Sequence, residues 1–160
     1  MDSRVQGLAA QLELHSRLFL NCLDGVSEDA ASARPGGANN MAFIAAHLVD
    51  ARHWLARLVG LAIDNPFAER LANARTIDEL TDCPSVAESR DAWRTLAGPL
   101  EAHIETLDAG TLDRPSPMRF PVSDKSVLGT IAFLVHHEAY HIGQLALLRR
   151  YTGSPAMSYR

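Results

Sequence analysis

Residues 133–144 read FLVHHEAYHIGQ and place His137 and His141 four residues apart within an apolar helical pattern. Four residues of helix turn through about 400°, so two such imidazoles stack on one face, roughly 6 Å apart along the axis. That spacing offers two nitrogen ligands to one transition metal. The same run also matches H-E-x-x-H, in which Glu138 would be the general base of a metalloprotease. A protease of that kind needs a third ligand, usually further along the chain. After His141 there is no His, Asp, Glu or Cys, and the position six residues on, where the extended motif carries its third His, is Leu147. This argues against a zinc protease and requires any third ligand to come from before position 137.

The elements that must position this pair are helices. The first spans Ser3 to Leu23, with Val5, Leu8, Leu12, His15, Phe19 and Cys22 as a buried stripe at three- and four-residue steps. A short helical turn is expected at Ser27-Glu-Asp, and Pro35-Gly-Gly breaks the pattern. Asn40 suits the N-cap of a second helix from Met41 to about Leu61, with Met41, Ile44, Leu48, Ala51, Leu55 and Leu58 inward. Thr76 and Glu79 have capping-box spacing for another short turn. A third long helix is expected from near Pro84 to about Leu107, kinked at Gly98-Pro99. The segment from Asp108 to Lys125 contains three prolines and reads as a long ordered loop, a frequent pocket wall. The fourth helix runs from about Ser126 to Tyr151, with Gly153 past its end. Its inward face is read as Val127, Ile131, Leu134, His137, His141, Leu145 and Leu148. Two unpaired imidazoles at core positions would be costly to bury, and a metal accounts for them better than packing. The fold class is therefore all-α, a four-helix bundle with long connections and short extra helical turns.

Three histidines before position 137 bear on the missing ligand. His15 lies in the first stripe and is read as a packed histidine with one hydrogen bond. His103 lies near the inner edge of the third helix. His47 lies beside the second stripe and gains weight because the later pair lacks a partner. Asp50 and His53 are read as a surface pair pointing away from His47.

Composition sets the outer bounds. At 160 residues the chain is expected to form one domain covering its whole length, 1–160. Its net charge of −4, from 15 basic and 19 acidic residues interspersed, gives no footprint for nucleic acid or an anionic membrane. Cys22 and Cys83 form no C-x-x-C and look like free thiols of a reducing compartment. With neither a signal-peptide pattern nor a run of transmembrane length, a cytoplasmic location is expected.

An isolated His in the second helix, followed in the fourth by His-x-x-x-His-x-Gly-Gln, resembles the DinB/YfiT-like metalloenzyme family. The matching residues are His47, within Ala42-Phe-Ile-Ala-Ala-His-Leu, and His137, His141, Gly143 and Gln144. Where members often carry Arg before the Gly, this chain has Ile142. The resemblance implies a divalent metal, commonly nickel or zinc, held by His47, His137 and His141 with positions left open. Three imidazoles plus an open position is also the donor set of a catalytic rather than a structural zinc site. The family implies a low-molecular-weight thiol as co-substrate, in S-transfer or isomerisation of a small electrophilic molecule, and a homodimer as the assembly. Glu138 is then a general base, a hydrogen-bond partner for a ligand, or a carboxylate on the helix surface; Gln144 is a candidate to orient a neighbouring ligand. Two alternatives are a non-catalytic metal-binding or stress-related bundle, expected to seal its ion, and a helical interaction module. From the reference imidazole pKa of about 6.5, metal affinity is expected to weaken as pH falls through about 6.

Overall fold

The computed structural model describes residues 2–72 and 74–159. They form six α-helices: α1 (Ser3–Leu23), α2 (Glu28–Ser32), α3 (Met41–Leu58), α4 (Val86–Glu105), α5 (Ala109–Leu112) and α6 (Val127–Tyr151), with single 3₁₀ turns at Pro35–Gly37 and Ile77–Glu79. The four long helices make the bundle. α1 and α3 each pack on both α4 and α6, so the two pairs alternate around its axis.

Local chemistry accounts for the boundaries. Asp2, Ser27, Asn40, Ser85, Asp108 and Ser126 each cap the helix that follows, their side-chain oxygens accepting a backbone N–H. Asn40 is the expected cap of α3, but that helix stops at Leu58, short of Leu61. α4 starts one residue past Ser85, where Ser85 and Glu88 close a reciprocal capping box, so Pro84 precedes the cap instead of occupying the first helical position. The helix then runs continuously through Pro99 to Glu105. Thr76 makes no side-chain cap; Glu79 instead accepts from the Arg75 backbone N–H. Gly153, with φ of 87°, lies just after the Thr152 cap of α6 and turns the chain out of the helix. Gly129 allows α6 to begin tight against the loop before it: a Cβ there would lie 2.8 Å from that of Asp124 and closer still to its backbone carbonyl.

The core falls into two apolar clusters along the bundle. One gathers Phe19, Met41, Phe43, Leu48, Trp93, Ile142 and Leu145; the other Leu12, Leu55, Leu96, Leu100, Ile104, Ile131 and Leu134. Between them in sequence on α1, α3 and α6 lies a buried polar layer. Arg52 of α3, 1% exposed, donates to both carboxylate oxygens of Glu138 on α6, Nε to Oε1 at 2.7 Å and Nη2 to Oε2 at 3.1 Å. It also donates to the Ser16 hydroxyl at 2.6 Å and the Leu12 carbonyl at 2.8 Å on α1. Its guanidinium lies 3.9 Å from the centroid of Trp93 of α4, a cation–π contact. His15 completes the layer, with Nδ1 3.3 Å from Glu138 Oε2. All four long helices are thereby tied to one charge pair.

This layer corrects the inward face expected for α6. The buried residues include Val127, Ile131, Leu134, Val135, Glu138, Ile142, Leu145 and Leu148, so Glu138 occupies the core position while His137 and His141 lie half-buried at its edge. Glu138 is therefore not a surface carboxylate; at 2% exposure it is enclosed by the bundle. His15 is the packed, singly hydrogen-bonded residue expected. His53 is not on the surface: it is 2% exposed, and its Nδ1 lies 2.9 Å from the Val49 carbonyl. Asp50 pairs instead with Asn65, whose Nδ2 donates to it at 2.6 Å.

Candidate metal centre

α3 and α6 pack side by side, and the Arg52–Glu138 pair sets their relative rotation. Beside that pair, His47 of α3 faces His137 and His141 of α6. The His47 and His137 Nε2 atoms are 3.0 Å apart, and the ligating atoms of the three residues all lie within 4.8 Å of one another. The ring planes stand at 68–76° to one another, with centroids 4.5–5.0 Å apart, as three imidazoles do when they point at a common centre. Nitrogens bound at about 2.0–2.1 Å to one ion are about 3.0–3.5 Å apart, a separation the His47–His137 pair already has.

Each ring is prepared to be a neutral donor. Burial, and then the neighbouring His141, push the His47 and His137 imidazoles down to about 4. Burial also lowers His141, partly opposed by its bond to Gln144. At neutral pH all three therefore carry lone pairs. His141 Nδ1–H donates to Gln144 Oε1 at 2.6 Å, which directs its Nε2 lone pair inward, and Gln144 Nε2 in turn donates to the Tyr140 hydroxyl at 3.2 Å. The His137 Nδ1 is buried without a hydrogen-bond partner among the described residues. One proton can be shared between His47 and His137, but the His141 lone pair then meets no donor. A cation satisfies the convergent nitrogens where a proton network does not, so the residues present fit a divalent metal.

The remaining candidates stand elsewhere. His103 Nε2 lies 2.9 Å from the Val59 carbonyl, outside the cluster. Glu138 follows a ligand in sequence, but both its oxygens are held by Arg52 and one also by His15. Burial would raise its pKa; the Arg52 charge and the bonds from His15 and Arg52 outweigh that and keep it below the ordinary carboxylate value. A carboxylate so committed is an anchor, not a base aimed at the metal. Arg52 was missed in the sequence, although a signal exists: it interrupts the second stripe between Leu48 and Leu55, as Glu138 interrupts the fourth between Leu134 and Ile142. Opposite charges at stripe positions of two helices mark a buried pair.

Beside the triad opens a cavity of about 260 Å³, lined by His47, Asp50, Ala51 and Trp54 of α3, by Leu134, Phe133 and His137 of α6, and by Met118 and Phe120 of the loop between α5 and α6. The long proline-containing segment thus supplies a wall, as expected. The connection after α3 contributes Asn65, which fixes Asp50, and none of its described residues lines the cavity.

In a comparison with protein families, the model of the DinB superfamily matches residues 11–145, a span that contains all three histidines. No curated protein matches the chain.

Proposed function

Since the chain belongs to the DinB superfamily, we propose that it is a metal-dependent thiol S-transferase or isomerase acting on a small electrophilic molecule. The observation that carries this is the convergence of three neutral histidines, two of which, His47 and His137, line an open cavity. An ion of purely structural role would be expected in a sealed site. Nickel and zinc suit the all-imidazole donor set. When bound, such an ion supplies Lewis acidity, lowering the pKa of a coordinated thiol or water near neutral pH.

The chain's own residues do the rest. His47, His137 and His141 provide the ligands. Gln144 fixes the His141 tautomer, the kind of support that hydrogen-bond partners of ligands generally give. Trp54, Phe120 and Phe133 give the adjacent cavity apolar walls. In transfer, the thiolate sulfur forms the new C–S bond and the leaving group departs with its electron pair. In isomerisation, sulfur adds to one carbon of an activated double bond, and elimination returns it after rotation. We also take the working assembly to be a homodimer, and the location to be the cytoplasm, where the two unpaired cysteines, Cys22 and Cys83, would stay reduced.

The test is to load the protein with nickel or zinc and measure conjugation of bacillithiol, mycothiol or glutathione to monochlorobimane against His141→Ala. Turnover that needs both the ion and His141 is expected. If no thiol perturbs the spectrum of the nickel-loaded protein and neither ion supports turnover above the variant, the transferase assignment fails.

A further inference from the structure

The cavity beside the triad has a chemical character that the ligand set alone does not imply. Successive turns of α3 place His47, Asp50 with Ala51, and Trp54 along one wall. One turn of α6 separates Phe133 from His137 on the opposite wall, and the two rings are near-parallel at 29°, with centroids 6.3 Å apart. Phe120 closes the far end. It stacks on Phe133 at 4.4 Å and 18°, and meets Trp54 edge-on at 5.7 Å and 86°. Planar rings in this arrangement select a flat apolar guest, because stacked and edge-to-face contacts add to simple burial. At about 260 Å³ the space exceeds the roughly 150 Å³ of a cavity that takes benzene, and so suits a body of one or two rings.

Charge narrows the class further. Among the described lining residues there is no Lys or Arg, and the one carboxylate is Asp50, with Asn65 bonded to it. An anionic group on the part of a guest furthest from the metal would lie among Trp54, Phe120 and Phe133 with no cationic partner, and one nearer the histidines would meet Asp50, one turn from His47.

We propose that this cavity is the electrophile subsite and that it takes a small, flat, apolar molecule of one or two rings, uncharged at the end remote from the histidines. This rests on the proposed function in making the guest an electrophile. Dicarboxylates and other doubly anionic substrates are thereby excluded from the class.

The experiment uses the full chain, metal-free and zinc-loaded, with two probes of equal shape: 2-naphthalenemethanol and 2-naphthoate. Binding is followed by ligand-observed NMR, and zinc uptake is measured separately by calorimetry. In the metal-free protein the alcohol is expected to bind at least about tenfold more tightly than the carboxylate. Asp50→Asn should narrow that gap, and Trp54→Ala should weaken the alcohol by about tenfold. Phe133→Leu, which keeps an apolar residue, should weaken it as well and covers the case in which the Trp54 variant does not fold. Equal affinity for the two probes, or alcohol binding indifferent to Asp50, Trp54 and Phe133, overturns the assignment. Zinc uptake with no binding of the alcohol overturns it while leaving the metal centre intact. Binding of the alcohol with no zinc uptake supports the subsite and defeats the metal-dependent function instead.

Discussion

Replacing Glu138 with Gln removes one charge from the buried layer and leaves the Arg52 guanidinium enclosed at 1% exposure. The amide keeps one acceptor but turns its N–H₂ either toward Arg52 Nε or toward Arg52 Nη2 and His15 Nδ1, so an Arg52 N–H faces a donor in either orientation. Breaking a buried pair by neutralising one partner typically costs about 3–5 kcal/mol, because the other charge is left uncompensated. Glu101, 3.7 Å from Arg52, softens this, and the lower half of that range is expected. For a chain of this size about 3 kcal/mol corresponds to a fall in Tm of roughly 6–12 °C. Urea unfolding at pH 7 reads the difference directly. Because the Glu138 pKa is held below its ordinary value, its contribution is present above that ordinary value and is lost as pH falls through the lowered one. The gap between wild type and variant should therefore close in acid. Replacing both partners, Arg52→Met with Glu138→Leu, should recover at least half of the loss, since an apolar pair of similar volume avoids the stranded charge. If Glu138→Gln unfolds within about 1 kcal/mol of wild type yet loses turnover, the side chain acts chemically and the anchoring role is wrong.

Four further outcomes are expected. Alanine at His47, His137 or His141 should each remove most bound nickel or zinc while leaving the metal-free fold cooperative; His53→Ala should retain the metal, as elemental analysis would show. Gln144→Leu removes the acceptor that fixes His141 and should weaken zinc by about 10–100-fold with stability little changed, measured by competition with a chelator. Because burial lowers all three imidazoles in the metal-free protein, His47 and His137 to about 4, protons should begin to compete with zinc at a lower pH than the value of about 6 inferred from the free imidazole. The same depressed values make the metal-free fold bind fewer protons than the unfolded chain between about 6.5 and 4, so its stability should fall as pH is lowered through that window. A zinc affinity already lost at pH 6 would contradict the burial of these rings.

Most of the bundle was legible because its helices announce themselves in periodic stripes and good caps. α1 has the boundaries that its stripe predicts, and Asn40 and Ser126 start α3 and α6. The rotation of α6 was not legible in the same way. Its hydrophobicity is spread around the helix, so a stripe drawn through His137 and His141 and one drawn through Glu138 and Ile142 look alike in sequence. Tertiary packing chose the second, because Arg52 supplies a partner for Glu138 that no single-helix pattern reveals. His53 was misplaced for a related reason: α3 is buried on nearly all sides, and a histidine that bonds the carbonyl one turn back can be enclosed without a side-chain partner. The metal triad was accessible because two of its members share one helix at a diagnostic spacing. The aromatic cavity was not, since Phe120 meets Trp54 and Phe133 only after the loop has closed over them.

The placement of the histidines at the edge of the packed layer, with the charge pair taking the interior, separates two kinds of inheritance. Changes at 47, 137 and 141 would alter which ion the candidate centre could hold, or whether it could hold one at all, while leaving the buried charge pair in place. Changes at 52 or 138 would do the reverse. A lineage carrying this bundle would therefore be free to exchange, retune or abandon the chemistry proposed for that centre by point substitution while the scaffold persists. The scaffold itself can drift only by paired replacement of its buried charges.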